Sequence, residues 1–167
     1  MDQILPITIV LLVGGIALIS LLAVLGLMFP RPVERTRAAL EASLWKSFLL
    51  GLVNFLFAAA ITALLAKLGQ RAGGVPAAIL IFLALLLALA LTVFSMLGLT
   101  GLTTLIGERI GEGSAPFRNH LRGSLLFILA GLTPYVGWFA FAPLAIITGF
   151  GAALQASVFR KKEKPAG

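Results

Sequence analysis

The chain has 167 residues, of which 60% are hydrophobic and 11% charged, with a formal charge of +7 and no cysteine. Such a composition leaves too little polar surface to cover a water-soluble core, and the lack of cysteine excludes disulfides, thiolate metal sites and a thiol nucleophile. The positive charge does not point to nucleic acid, because the basic residues flank apolar runs and carry no interleaved aromatics.

Four stretches, 3–30, 47–66, 72–107 and 123–159, contain no charged side chain. They are continuous and rich in Leu, Ala and Ile rather than alternating with period two, which predicts membrane helices instead of a barrel. The expected architecture is an all-α polytopic bundle forming one domain over 1–159, followed by a basic tail over 160–167. Five embedded segments are predicted, at about 4–28, 47–68, 76–105, 118–133 and 138–159, with four spans as the alternative.

The first segment lacks a basic n-region, carries Asp2 and is about twice as long as a signal h-region, so it reads as a retained helix ended by Pro30 and Pro32. Arg31 to Lys46 follows as an amphipathic helix lying on the membrane. On helical spacing Val33, Leu40 and Leu44 share a face, Glu34 pairs with Arg37 and Arg37 with Glu41, and Trp45 suits the headgroup level.

In the second segment Ser47, Gly51, Asn54, Ala58, Thr62 and Ala66 recur at three- or four-residue intervals, and in the third Ala84, Ala88, Thr92 and Ser95 do the same. Such small-residue stripes allow close helix approach. The short GQRAGG turn between the two segments predicts an antiparallel hairpin, with Asn54 expected to tie helices together. Gly98 and Gly101 predict a bend or interfacial stretch before Glu108, and GERIGEG at Gly107 to Gly113 reads as a flexible turn, since it lacks the lysine and strand of a phosphate loop.

The fourth apolar stretch would measure ~55 Å as one straight helix, against a bilayer core of ~30 Å, so it must bend, break or turn back. TPYVGW at Thr133 to Trp138 supplies the break through Pro134 and Gly137. A return at this point also gathers the cations on one side. Eleven then share the compartment reached after the first helix, and only Lys67 and Arg71 lie opposite, which predicts an outside N-terminus and a cytoplasmic C-terminus. If the segment between Arg122 and Thr133 is too short to cross, Arg118 and Arg122 snorkel or the hairpin is re-entrant.

No catalytic constellation emerges. Ser43, Ser47, Ser95, Ser114 and Ser124 lack a base to activate them, no ionisable group lies deep in an apolar run, and no cofactor or metal is expected. His120, the single histidine, is the weak candidate for a pigment or haem ligand. Arg31, Arg35, Arg37, Lys46, Arg118, Arg122, Arg160, Lys161, Lys162 and Lys164 are expected to meet anionic lipid headgroups.

The order FPRPVERTRAAL, SFLLGLVNF, LIGERIG, TPYVGW and GFGAAL resembles the multi-helix membrane domain of uncharacterised bacterial proteins, joined in some to a bactofilin-like polymer-forming domain. The resemblance covers most of Phe29 to Ala153. It implies the helical architecture and a bacterial origin, and carries no activity. The expected role is a noncatalytic scaffold or accessory subunit that docks on other membrane proteins or on its own copies. A small transporter or lipid-handling protein, and a pigment- or redox-complex subunit, are the alternatives.

Overall fold

A computed structural model describes residues 4–111, 116–131 and 135–158. Every element in them is helical: α1 (Ile4–Met28), α2 (Pro30–Ala42), α3 (Leu44–Arg71), α4 (Gly74–Ile110), α5 (Pro116–Gly131), and a π-helical turn (Gly137–Phe141) that runs into α6 (Ala142–Val158). Among the described residues three helices are long and apolar enough to cross a membrane, namely α3, α4 and the stretch Phe139–Val158. The pair Leu12–Met28 and Pro30–Ala42, bent by 103°, adds a fourth candidate.

The breaks follow from local chemistry. Phe29 leaves the helical region at the end of α1, and Pro30 opens α2, where its fixed φ suits a first turn while its missing N–H cannot continue the preceding helix. Ser43 then adopts an extended backbone, and its hydroxyl accepts a hydrogen bond from the Lys46 N–H at 3.3 Å, capping α3. The amphipathic helix expected over 31–46 therefore stops at Ala42. Leu44 does not share the buried face of Val33 and Leu40; it starts the next helix half exposed. At the far end Gly74, with φ +66°, turns the chain from α3 into α4, and the two form the expected antiparallel hairpin, with Gly69 against Ile81.

The central element is α4, whose 37 residues measure ~55 Å. The helix is unbroken at Gly98 and Gly101 and continues through Gly107 to Ile110, where a flexible turn was expected. These glycines serve proximity instead. A Cβ on Gly98 would overlap the Gly149 backbone of α6, one on Gly101 would press on the Thr36 side chain of α2, and one on Gly107 would strike the Asn119 carbonyl of α5. The same close approach joins α3 to α6, where Gly51 faces the Ile147 carbonyl and Gly151 faces the Ser47 carbonyl.

Contact order along each pair fixes the helix directions. Leu99 clusters with Ala145 and Leu105 with Ala152, so α6 runs in the same sense as α4. Gly107 meets Asn119 and Gly123 meets Thr103, so α5 runs opposite. The chain thus reverses between α5 and α6, one of the three outcomes that the length of this stretch allowed. Pro134 lies outside the described residues. Gly137 begins the π-helical turn, and the reversal also places Tyr135 at φ 65°, a left-handed conformation unfavourable for a residue with a Cβ. Phe127 and Phe141, with ring centroids 5.1 Å apart, pack the two arms of the hairpin together. Phe150 receives Phe55 and Phe94 edge-on, at 5.5 and 6.2 Å.

Two stability outcomes follow. Gly98→Ala should cost roughly 1–3 kcal/mol by overpacking, because the obstruction is backbone and cannot rotate away. Gly14→Ala in α1, with nothing within 4 Å of the new methyl group, should be neutral or gain up to ~1 kcal/mol. Equal effects in detergent thermal unfolding would refute the close-approach reading. Tyr135→Gly should raise stability by about 1 kcal/mol through relief of the left-handed backbone, in the same assay.

Candidate functional site

The polar chemistry of the described residues gathers at one end of the bundle, around α2. This helix buries Val33, Thr36 and Leu40 against α4 and α6 and exposes Arg31, Glu34, Arg35 and Glu41. Thr36 is 2% exposed, and its hydroxyl donates to the Pro32 carbonyl at 2.9 Å, so its burial leaves no unsatisfied donor.

Arg37 fastens α2 to the bundle. Its Nε and Nη2 donate to Glu34 Oε1 at 3.1 and 2.8 Å, while its Nη1 donates to Glu41 Oε2 at 3.3 Å and to Glu108 Oε2 at 2.7 Å. The two pairs within α2 were readable from i,i+3 and i,i+4 spacing; the Glu108 contact was not, because Glu108 lies 71 residues away on α4. The Glu34 hydrogen bond, partly opposed by burial and then supported by the charges of Glu108, Glu34 and Glu41, holds the guanidinium above its ordinary range.

Other cations collect at the same end. Arg31 and Arg35 line a cleft of about 660 Å³ with Pro30 and Glu34. Lys46 is exposed in the first turn of α3, and Arg118 is exposed on α5. The Arg122 guanidinium reaches Gly111 beside Asn119, at the carboxyl end of α4, where a cation meets the negative pole of the helix dipole. The Ser47 hydroxyl donates to Gln155 Oε1 at 3.3 Å, which puts the end of α6 beside the start of α3. Arg160, Lys161, Lys162 and Lys164 lie outside the described residues, as does the side chain of His120. Lys67 and Arg71 stand at the opposite end, on the far turns of α3.

The predicted small-residue stripes divide. Gly51 packs on α6 rather than on the hairpin partner α4, and Ala84 is buried. Ala58, Thr62 and Ala88 are half-buried, and Thr92 is exposed. Asn54 Nδ2 donates to the Leu50 carbonyl at 2.8 Å, within its own helix, and Thr62 and Thr92 likewise bond Ala58 and Ala88 one turn back. Of the tightest contacts, the stripes included Gly51; Gly98, Gly101, Gly107, Gly123, Gly149 and Gly151 lay outside them. Their signal was the glycine density of 98–107 and 149–151.

No family model, curated protein or solved structure matches this chain. The functional reading therefore rests on the geometry alone. In a double-mutant cycle, Arg37→Gln and Glu108→Gln should show coupling of about 0.5–1 kcal/mol, a modest value because both side chains keep some solvent contact, 21% and 38%. The Arg37→Gln, Glu34→Gln pair should couple more weakly, since it lies within one exposed helix face. Additive effects at Arg37 and Glu108, read by thermal unfolding in detergent, would show that the bridge does not anchor α2.

Proposed function

We propose that the protein is a noncatalytic scaffold or accessory subunit of a bacterial inner-membrane assembly, with α2 as its cytoplasmic docking platform. The observation that carries this reading is the convergence of α2, the start of α3, the end of α4, the start of α5 and the end of α6 on one end of the bundle. Seven cations lie in those segments (Arg31, Arg35, Arg37, Lys46, Arg109, Arg118 and Arg122) against Lys67 and Arg71 at the other end. Such a bias favours a cytoplasmic location for the cationic end and sends the N-terminus of α1 outward. Anionic headgroups would meet Arg31 and Arg35 at the α2 cleft.

Five embedded segments fit this placement, with α1, α3 and α4 crossing and the α5–α6 pair entering from the cytoplasmic side. The apolar part of α5, Leu121–Gly131, measures only ~16 Å, about half of a ~30 Å core. A re-entrant hairpin satisfies that length and leaves its tip, Tyr135, Val136 and Phe139, exposed to hydrocarbon at 79, 66 and 80%. Backbone at mid-membrane is tolerated where its amides stay bonded, as the Phe139 N–H does to the Tyr135 carbonyl at 3.0 Å and the Ala142 N–H to the Gly137 carbonyl across the π-helical turn. A lipid-handling role is the second reading, favoured by an open apolar groove between α3 and α6.

Single-cysteine variants of this cysteine-free chain test the placement. Arg35→Cys and Ser157→Cys should react with an impermeant maleimide only from the cytoplasm, and Gln70→Cys only from the periplasm. Labelling of positions 35 and 157 from opposite sides would overturn the arrangement. Gentle extraction of native membranes should recover a larger assembly or homo-oligomer whose retention falls when Arg31 and Arg35 are both changed to Glu. A lone monomer in nanodiscs would refute the scaffold.

A further inference from the structure

Two helix crossings in the bundle obey one rule. At the first, a Cβ on Gly51 of α3 would strike the Ile147 carbonyl of α6, and one on Gly151 of α6 would strike the Ser47 carbonyl of α3. At the second, Gly107 of α4 meets the Asn119 carbonyl of α5 in the same way, and Gly123 of α5 meets the Thr103 carbonyl of α4. Each carbonyl belongs to the residue one turn before the partner's glycine. A hydrogen stands where the missing Cβ would be, so each glycine turns a Cα–H to its partner's oxygen, a weak bond made twice per crossing. We infer that α3–α4 and α5–α6 are two copies of one hairpin unit, related by a pseudo-two-fold axis along the bundle, and that each copy carries the surface the other is shaped to receive.

The sequence matches in the register that the crossings set. With Gly51 placed on Gly123, Lys46 falls on Arg118 and Phe55 on Phe127; with Gly107 placed on Gly151, Thr104 falls on Thr148. Lys46 and Arg118 are both exposed, and Ser47 and Asn119, which follow them, are both buried polar residues. The helix directions meet the same condition. α4 and α6 run in one sense and α3 and α5 in the other, as a two-fold axis parallel to the helices demands, and α4 meets its own counterpart where Gly98 touches Gly149.

Beside the crossings, side-chain size is traded between equivalent places. Small Ser47 is met by long Gln155, one turn beyond Gly151, at 3.3 Å. Larger Asn119 is met by Gly111, one turn beyond Gly107, where a Cβ would come to 2.5 Å from the Asn119 Oδ1. The same space is thus filled from opposite sides.

α2 stands outside the repeat. Only residues 111–115 separate α4 from α5, so no counterpart of α2 precedes the second unit. The helix lies across the junction of the two units, with Leu40 packed on Leu105 of α4 and Ala152 of α6. It makes the faces of an otherwise two-fold core different from one another.

The test trades equivalent residues in the full-length chain and reads the thermal unfolding midpoint in detergent. Ser47→Asn alone should lower the midpoint, because Ser47 is fully buried and Gln155 lies beside it. Adding Gln155→Gly should recover at least half of that loss, since the pair then has the composition of Asn119 and Gly111. At the other crossing Gly111→Gln should lower the midpoint and Asn119→Ser should recover it in the same measure. All four changes together exchange the two sites, and that chain should unfold close to the natural midpoint. Ser47→Asn with Asn119→Ser, which are not partners, should show additive losses. If Gly111→Gln does not fold, Gly111→Ala with and without Asn119→Ser makes the same comparison, because the Cβ alone reaches the Asn119 Oδ1.

Additive losses within the partner pairs would overturn the equivalence. Recovery at one crossing only would overturn it too, leaving an isolated contact in place of a repeat, as would a fourfold exchange less stable than either pair alone. The unfolding midpoints are independent of which way the bundle lies in a bilayer, so this inference and the proposed placement fail separately.

Discussion

Helices surrounded by lipid gain nothing from hiding apolar surface from one another, because the chains of the bilayer are as apolar as leucine. What remains is contact at short range, and in this protein that contact is made where side chains are missing. Gly98 on Gly149, Gly51 and Gly151 across the α3–α6 crossing, and Gly107 with Gly123 bring backbones together at three places, two of them on α4. Three threonine hydroxyls of α4 near these crossings follow the same logic. Thr100, Thr103 and Thr104 bond carbonyls of their own helix, at 2.8, 3.0 and 2.7 Å, so they bring no unpaired donor to a surface that must fit closely. The distal half of the α3–α4 hairpin lacks such a crossing with a third helix. Its apolar side chains, among them Leu64, Phe82 and Leu85, stay exposed.

Charge performs a different task. Arg37 lies between three carboxylates, and its shortest bond runs to the one from another helix, Glu108. The bridge sets the azimuth of α2 on α4, since Thr36 beside it seats on Gly101. With Arg37 turned inward, Arg31 and Arg35 are left facing outward on the first turns of the same helix. One residue of a basic segment thus serves the fold while its neighbours remain available to lipid or protein, a division that residue type alone does not reveal.

The reversal between α5 and α6 links these parts. It brings the end of α6 back to the start of α3, where Ser47 and Gln155 meet. The reversal demands an unusual backbone, a left-handed Tyr135 followed by a π-helical turn, and the Phe127–Phe141 contact compensates by joining the arms.

Composition and run length by themselves determined that the chain is helical and suited to a membrane, because uncharged runs of this length admit little else. Length excluded a single straight helix for the last apolar stretch and charge bias favoured a return, and local spacing exposed the Glu34–Arg37–Glu41 ladder. The stripe pattern singled out Gly51, but only the tertiary structure decided the part played by the glycines of α4 and α6. In sequence, Gly98 and Gly101 have the composition of a bend, and a bend and a close crossing both call for the smallest residue; the choice depends on whether another helix passes there. The Glu108 contact to Arg37 and the groove beside Trp45 were hidden for the same reason, since each exists only where segments distant along the chain come together.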